Sequence, residues 1–112
     1  MALTIWHNPR CSKSRQTLEL IKAQDPTVRL YLTDAPSAAE LRTAAEALGL
    51  KPIEMMRTGE PEFKAEGLSK DSLDDLLFAA MARVPKLIER PIVFAGDKAV
   101  IGRPPEAVFS LL

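Results

Sequence analysis

The sequence predicts an α/β fold in which a strand, a helix and a second strand are followed by a helical block, a β-hairpin and a final helix. Two observations lead to this prediction. Short apolar runs with β-branched residues stand near both ends of the chain, and apolar residues between them recur at the spacing of amphipathic helices. The chain has 112 residues, 46% hydrophobic and 27% charged, so we expect residues 1–112 to form one domain.

The N-terminal segment has the pattern of a βαβ unit. Leu3–Trp6 predicts a short buried strand that ends at the turn formers Asn8 and Pro9. Residues 12–23 predict a helix, and residues 28–32 predict a second strand. Because strands joined by such a crossover are normally parallel, we expect these two strands to pair in parallel.

A capping motif marks the start of the next helix. Ser37 and Glu40 have the spacing at which the hydroxyl and the carboxylate each accept a hydrogen bond from a free backbone N–H. Gly49 is the predicted end of this helix. The apolar face between them is Leu41, Ala44, Ala45 and Leu48.

Further helical segments follow. Residues 52–67 predict short helical pieces with turns at Thr58-Gly59 and at Gly67. The clearest helical pattern of the chain is closed by Pro85. Its predicted buried face is Leu73, Leu76, Leu77, Ala80, Met81 and Val84.

The C-terminal segment predicts a hairpin and a helix. Two apolar runs, Ile92–Ala95 and Lys98–Ile101, are separated by Gly96 and Asp97. A two-residue Gly-X connection favours a type II′ turn. Residues 106–112 predict a closing helix that begins after two prolines. The whole order of elements is the thioredoxin-like arrangement with helices inserted in its middle.

Charge and cysteine content exclude several classes of protein. Fifteen basic and fifteen acidic residues give a formal net charge of zero, so no overall field attracts nucleic acid or an anionic membrane. One cysteine and one histidine are too few for an internal disulfide or a structural zinc site. No apolar run approaches the roughly 20 residues of a bilayer span, and no signal-peptide pattern is present. We therefore expect a cytoplasmic protein without nucleic-acid or membrane partners.

Cys11 is the first candidate for chemistry because its surroundings are cationic. Arg10, Lys13 and Arg15 surround it, and no acidic side chain occurs before Glu19. The predicted helix also begins beside it, and the free N–H groups and positive dipole end of a helix stabilise a thiolate. Such positions lower cysteine pKa values from ~8.5 to between ~3.5 and ~7.5. We therefore expect a reactive thiol instead of a buried core cysteine.

Two well-known cysteine motifs are absent. The residues after Cys11 are Ser12, Lys13 and Ser14, so the chain lacks the second cysteine of a C-x-x-C motif. This excludes a mechanism that uses two cysteines of the same chain. A phosphatase loop of the C-x5-R type requires arginine where the chain has Thr17, and this weakens the phosphatase interpretation.

One histidine and three arginines are further candidates. His7 precedes Cys11 by four residues, where it either orients or acidifies the thiol as an imidazolium, or hydrogen-bonds to backbone at the strand end. Arg90 and Arg103 each precede a proline at an end of the predicted hairpin. Arginine binds oxyanions through its planar fork of donors. Composition alone does not connect these two residues with the cysteine, and for either one by itself a solvated surface position is the favoured interpretation. The case for Arg57, after Met55 and Met56, is weaker still.

Five segments carry a family resemblance: His7–Arg15, Leu30–Leu32, Met56–Arg57, Glu89–Val93 and Gly102–Glu106. The first resembles the catalytic loop of the glutaredoxin-dependent arsenate reductase family, and the others extend the likeness over essentially the whole chain. The same superfamily includes the Spx-type regulators, which share the thioredoxin-like fold and do not reduce arsenate. Ser12 stands where glycine is frequent, and no C-terminal extension follows Leu112, so we expect a short branch of the family.

The resemblance implies a role for each matched position. Cys11 matches the nucleophile, and the matched oxyanion-binding residues are Arg57, Arg90 and Arg103. The residues at loop positions linked to thiolate activation are His7, Ser14 and Arg15. Pro91 matches the place where thioredoxin-like folds have a cis-proline facing the cysteine.

The implied activity is reduction of arsenate to arsenite through a thiolate–arsenic adduct on Cys11. Glutathione and glutaredoxin act as co-substrates, no metal or organic cofactor is bound, and the protein is expected to be a monomer. Two alternatives stay open: a glutathione-dependent thiol oxidoreductase acting on another substrate, and a Spx-like protein-interaction module without enzyme activity. The basic loop and the matched arginines favour an enzyme, and the absent C-x-x-C motif argues against a redox-switched regulator.

Overall fold

Residues 2–112 are described by the computed structural model, and they divide into two units. A sheet unit contains the chain up to Asp34 together with Arg90–Leu112, and a helical unit contains Ala35–Glu89. None of the helices within residues 2–112 is both long and apolar enough to cross a membrane.

The sheet unit is built on four strands in the order β2-β1-β3-β4. Strand β1, Leu3–Trp6, pairs in parallel with β2, Thr27–Arg29. On its other side β1 pairs antiparallel with β3, Ile92–Ala95, which forms a hairpin with β4, Lys98–Ile101. The predicted parallel pair and hairpin are therefore confirmed, and the mixed sheet is that of a thioredoxin-like fold.

Two helices cover this sheet. Helix α1, Ser12–Ile21, connects β1 to β2 and packs against the 3₁₀ helix Pro105–Leu111. The buried side chains of this core come from the strands and from both helices: Leu3, Ile5, Ile21, Val93, Ala95, Val108 and Leu111. Burial of this apolar surface is what fixes the end of β1 and the start of α1, and with them the loop that joins the two.

The helical unit contains three α-helices. Helix α2, Ala38–Leu48, packs against α4, Asp74–Arg83, and the short helix α3 covers Pro61–Ala65. Two 3₁₀ helices, Pro52–Met55 and Pro85–Leu87, complete the unit. The short helical pieces predicted for residues 52–67 are therefore present.

Three local predictions agree with the structure. Ser37 Oγ accepts a hydrogen bond from Glu40 N at 3.1 Å, and Glu40 Oε1 accepts one from Ser37 N at 3.0 Å, which completes the capping box. Gly49 ends α2 with a φ of 68°, a conformation that glycine adopts without steric penalty. In the hairpin turn Gly96 has a φ of 61°, whereas the φ of Asp97 is not positive. A type II′ turn requires this combination.

The second strand is shorter than predicted. It covers Thr27–Arg29 instead of residues 28–32. The chain turns at Leu30, whose carbonyl oxygen accepts hydrogen bonds from Thr33 N at 3.0 Å and Asp34 N at 2.8 Å. These turn hydrogen bonds replace the next step of the parallel ladder.

The first helix also ends earlier than predicted. Its α-helical part stops at Ile21 instead of continuing to Ala23, and Lys22–Gln24 tighten into a 3₁₀ turn. Asp25 then adopts a left-handed φ of 51°, directly before Pro26. A residue that precedes proline is disfavoured in the helical conformation, so the helical segment cannot extend through Asp25.

The buried face predicted for the fourth helix is partly wrong. Leu73 and Leu76 are 73% and 55% exposed; Leu73 precedes the helix as its N-cap, and Leu76 lies in the first turn. The buried residues of this helix are Leu77, Phe78, Ala80 and Met81. The closing helix predicted over residues 106–112 is the 3₁₀ helix Pro105–Leu111 instead.

Candidate active site

The loop between β1 and α1 presents Cys11 at the start of the helix. Cys11 is the N-cap residue and has extended backbone angles. Its N–H donates to Asn8 O at 3.0 Å, and its carbonyl oxygen accepts from Arg15 N at 3.0 Å. The thiol is partly exposed, so it lies on a tightly turned loop within reach of solvent.

His7 and Ser14 brace this loop from the inside. The Ser14 side chain is fully buried, and its Oγ lies 2.6 Å from His7 Nδ1 and accepts from Asn8 N at 3.0 Å. Burial, and then the positive charge of Arg15, lower the pKa of His7. The Ser14 hydroxyl has one proton and two lone pairs, so besides accepting from Asn8 N it can bond to either tautomer of His7 at Nδ1. The histidine thus bonds to a side chain of the loop, and both burial and Arg15 favour its neutral form.

Arg15 closes the same loop from the outside. Its Nη1 donates to Pro9 O at 2.9 Å. Asn8 Oδ1 also accepts from Arg10 N at 3.0 Å, and His7 N donates to Arg29 O at 2.8 Å. The backbone before Cys11 is therefore held at several points, so the position of the thiol is set before any substrate arrives.

The hairpin brings two of the candidate arginines to this loop. Ile92 pairs with Ile101, so Arg90 and Arg103 leave the hairpin side by side at its open end. Arg103 Nη1 lies 3.9 Å from Cys11 Sγ and donates to Arg90 O at 3.3 Å. Both Arg-Pro peptide bonds, 90–91 and 103–104, are cis.

Opposing effects act on the pKa of the Cys11 thiol. Partial burial raises this pKa, but the backbone N–H groups of Ser14 and Lys13 and the positive charge of Arg90 outweigh burial, and the pKa falls below its ordinary value. Both the helix start and the arginine therefore favour the thiolate, which is the nucleophilic form of cysteine.

We expect the alkylation of Cys11 to titrate with a midpoint below that of an ordinary cysteine. Only the thiolate reacts, so the rate stays near its maximum at pH values where an ordinary thiol is mostly protonated. It declines only as the pH drops through the lowered pKa. Rates of reaction with iodoacetamide across a pH series measure this, and the urea-unfolded chain is the control. A folded midpoint equal to or above the unfolded one contradicts the expectation.

Gly102 and Thr17 also shape the site, although sequence analysis assigns neither of them a role. A Cβ atom on Gly102 would lie 2.5 Å from Thr17 Oγ1 and 2.8 Å from Pro91 Cγ. Gly102 N donates to Pro91 O at 2.9 Å, and the buried Thr17 donates from Oγ1 to Lys13 O at 2.8 Å. Only glycine permits this close approach of the hairpin to α1. A glycine at the end of a predicted strand is the signal that marks such a contact in a sequence.

We expect Gly102→Ala to lower the free energy of unfolding by about 1–3 kcal/mol, because the added methyl overpacks a filled site. Urea unfolding measures this change. Gly59→Ala is the matched control, since a methyl group there would meet no atom within 4 Å beyond its chain neighbours, and Gly59 has no positive φ. Equal stability of the two variants would show that the contact at Gly102 relaxes freely.

Arg57 belongs to the helical unit, unlike the other candidate residues. Its guanidinium forms an ion pair with Glu60, and its Nη1 lies 3.5 Å from Lys86 O. Its backbone N–H donates to Leu87 O at 2.7 Å. The candidates brought together in the sheet unit are His7, Cys11, Ser14, Arg15, Arg90 and Arg103.

Comparison with known proteins adds independent findings. A model of the ArsC family matches residues 6–111. An arsenate reductase of Haemophilus influenzae is 46% identical over 116 aligned positions, which cover 100% of both chains. The uncharacterized protein YfgD of Escherichia coli K12 is 48% identical over 112 positions, covering 96% of this chain and 94% of that one. The solved structure of an arsenate reductase from Vibrio cholerae matches with a TM-score of 0.94 and 48% identity, covering 100% of this chain and 98% of that one.

Proposed function

The chain belongs to the ArsC family, and we propose that it is an arsenate reductase with Cys11 as its nucleophile. One observation carries this proposal. A thiol of lowered pKa stands at a helix start beside Arg90 and within 3.9 Å of a guanidinium nitrogen of Arg103. Full-length similarity to proteins named arsenate reductases supports arsenate as the substrate.

The two arginines address the main electrostatic obstacle of the reaction. Arsenate is an anion near neutral pH, and it repels an approaching thiolate. Arg90 and Arg103 each present a planar guanidinium with five N–H donors, which matches the oxygens of a tetrahedral anion. Positive charge held in place before the reaction lowers the cost of bringing the two anions together.

The chemistry proceeds in two bond exchanges. First, Cys11 Sγ bonds to arsenic, and one arsenic–oxygen bond breaks with release of water or hydroxide. Then the sulfur of glutathione bonds to Sγ, the sulfur–arsenic bond breaks, and its electron pair stays on arsenic, which leaves as arsenite. Two thiols lose the two electrons that arsenic(V) gains, and Cys11 is left as a mixed disulfide with glutathione.

Recovery of the enzyme requires a second thiol from outside. Cys11 is the only cysteine of the chain, and the Ser14 hydroxyl accepts and donates hydrogen bonds but forms no disulfide. We assign this step to glutaredoxin, whose thiolate removes glutathione from Cys11. The reducing equivalents of every turnover therefore come from glutathione and glutaredoxin.

Arg57 is the third arginine of the proposal, and its family position supports an oxyanion-binding role. Its guanidinium is paired with Glu60, which also has Lys86 Nζ at 3.7 Å. Glu60 therefore competes with an anion for the donors of Arg57.

Arsenite production tests the proposal directly. Purified protein is supplied with arsenate, glutathione, glutaredoxin and an NADPH-coupled glutathione reductase. We expect arsenite to form with saturable NADPH oxidation, and phosphate to raise the KM for arsenate without changing kcat, since the two anions share shape and charge. Absence of arsenite with all components present overturns the proposal. Reduction of a mixed disulfide without reduction of arsenate identifies a glutathione-dependent thiol oxidoreductase with another substrate.

A further inference from the structure

A pocket lies beside the loop that carries Cys11. It has a volume of about 310 Å³ and is lined by residues 7–10 and by Leu30, Leu32 and Thr33. All of these residues belong to the sheet unit. Because residue 10 directly precedes Cys11, a molecule seated in this pocket contacts the loop of the nucleophile.

The wall of the pocket formed by the turn after β2 is exposed and apolar. Leu30 is 45% exposed and Leu32 is 42% exposed, and the preceding strand adds Val28 at 43%. Large aliphatic side chains left accessible at a pocket are a feature of interaction sites. We call this pocket with its exposed Leu30 and Leu32 the leucine surface.

The leucine surface is held rigidly. Leu30 O accepts hydrogen bonds from Thr33 N at 3.0 Å, Thr33 Oγ1 at 3.2 Å and Asp34 N at 2.8 Å. Arg29 Nε donates to Asp34 O at 3.0 Å and forms an ion pair with Asp34 Oδ2 at 3.3 Å. A turn fixed in this way loses little conformational freedom when a partner binds.

Cationic side chains lie beside the leucine surface. Arg10 lines the pocket and Lys13 is exposed just beyond Cys11, whereas no acidic residue precedes Glu19 in the sequence. The carboxylate of Asp34 is paired with Arg29. A complementary partner therefore presents an apolar contact flanked by acidic side chains.

We propose that the leucine surface docks the protein thiol reductant that regenerates Cys11. This inference rests on the proposed function, in which glutaredoxin performs that step. An apolar side chain of the reductant enters the pocket, and acidic side chains face Arg10 and Lys13. Glutathione alone fits less well, because this small tripeptide carries two carboxylates and an ammonium and has little apolar surface to bury against the leucines.

Docking beside Cys11 places the reductant for a thiol–disulfide exchange. The reductant's thiolate attacks the glutathione sulfur of the mixed disulfide on Cys11. The new disulfide joins glutathione to the reductant, the old sulfur–sulfur bond breaks, and its electron pair returns to Cys11 Sγ as a thiolate. The attacking protein therefore has to cover the surface next to Cys11 during this step.

The test compares the double variant Leu30→Ser/Leu32→Ser with Leu73→Ser, a control leucine that is 73% exposed and does not line the pocket. We expect the double variant to raise the KM for glutaredoxin about tenfold, as loss of central apolar contacts does at protein interfaces. The KM values for arsenate and glutathione stay unchanged, and Leu73→Ser behaves as wild type. Arg10→Glu is expected to raise the KM for glutaredoxin as well, more strongly at low ionic strength.

Two outcomes overturn the docking proposal. An unchanged KM for glutaredoxin in the double variant excludes this surface, and a raised KM for glutathione alone assigns the pocket to the tripeptide. Far-UV circular dichroism and the alkylation midpoint of Cys11 verify that the variants are folded. A single turnover without glutaredoxin tests the proposed function separately, since it yields arsenite and glutathionylated Cys11 whether or not the docking surface is intact.

Discussion

Cys11→Ser is expected to abolish arsenite formation, lowering kcat by at least about 10⁴-fold. A serine hydroxyl stays protonated at neutral pH, and it forms neither the sulfur–arsenic bond nor the disulfide that supplies two electrons. Arsenite is measured directly, under saturating arsenate, glutathione and glutaredoxin. The neighbouring Ser12→Ala, an exposed position in the same helix turn, serves as the control and retains activity.

Mass spectrometry gives the same prediction an independent readout. After incubation with arsenate and glutathione in the absence of glutaredoxin, the intact wild-type chain carries one added glutathione, and Cys11→Ser carries none. Incubation without arsenate is the blank for spontaneous glutathionylation. Turnover by Cys11→Ser at the wild-type rate contradicts both the nucleophile assignment and the external-thiol mechanism.

Arg90→Lys and Arg103→Lys are each expected to lower kcat/KM for arsenate roughly 10- to 150-fold, although the formal charge is kept. Lysine lacks the planar fork of donors, and loss of one charge-assisted hydrogen bond costs ~1.5–3 kcal/mol. In Arg103→Lys the contact of Nη1 with Cys11 Sγ and with Arg90 O is removed as well. Steady-state kinetics with varied arsenate at saturating glutathione and glutaredoxin measure the effect.

Arg83→Lys is the matched control for these two variants. Arg83 is 60% exposed and its Nη2 lies 2.7 Å from Glu66 Oε1, a surface ion pair of the helical unit. We expect it to leave kcat/KM unchanged, and all three variants to keep the wild-type far-UV spectrum. Wild-type kcat/KM in both Arg90→Lys and Arg103→Lys identifies the two as ordinary surface arginines and removes the oxyanion-binding argument.

Features that depend on neighbours in sequence were predictable from the sequence. The capping box of Ser37 and Glu40 and the end of α2 at Gly49 agree with the structure, because each depends on hydrogen bonds or backbone angles within a few residues. The hairpin turn at Gly96 follows for the same reason. The position of Cys11 at the start of a helix is likewise a local property, so the candidate nucleophile was identifiable before the fold was known.

Features that depend on packing were decided only by the tertiary structure. Arg103 contacts Cys11 across 92 positions of sequence, and it does so because β3 pairs with both β1 and β4 and carries the open end of the hairpin to the start of α1. The exposure of Leu73 and Leu76 shows that an apolar pattern alone does not define a buried face, which also needs a neighbour to cover it. By itself the sequence determined the elements and the reactive residue, since these follow from short-range hydrogen bonding and periodicity. The tertiary structure decided which distant charges surround that residue, because only the strand order and the packing of α1 against the hairpin bring them within contact.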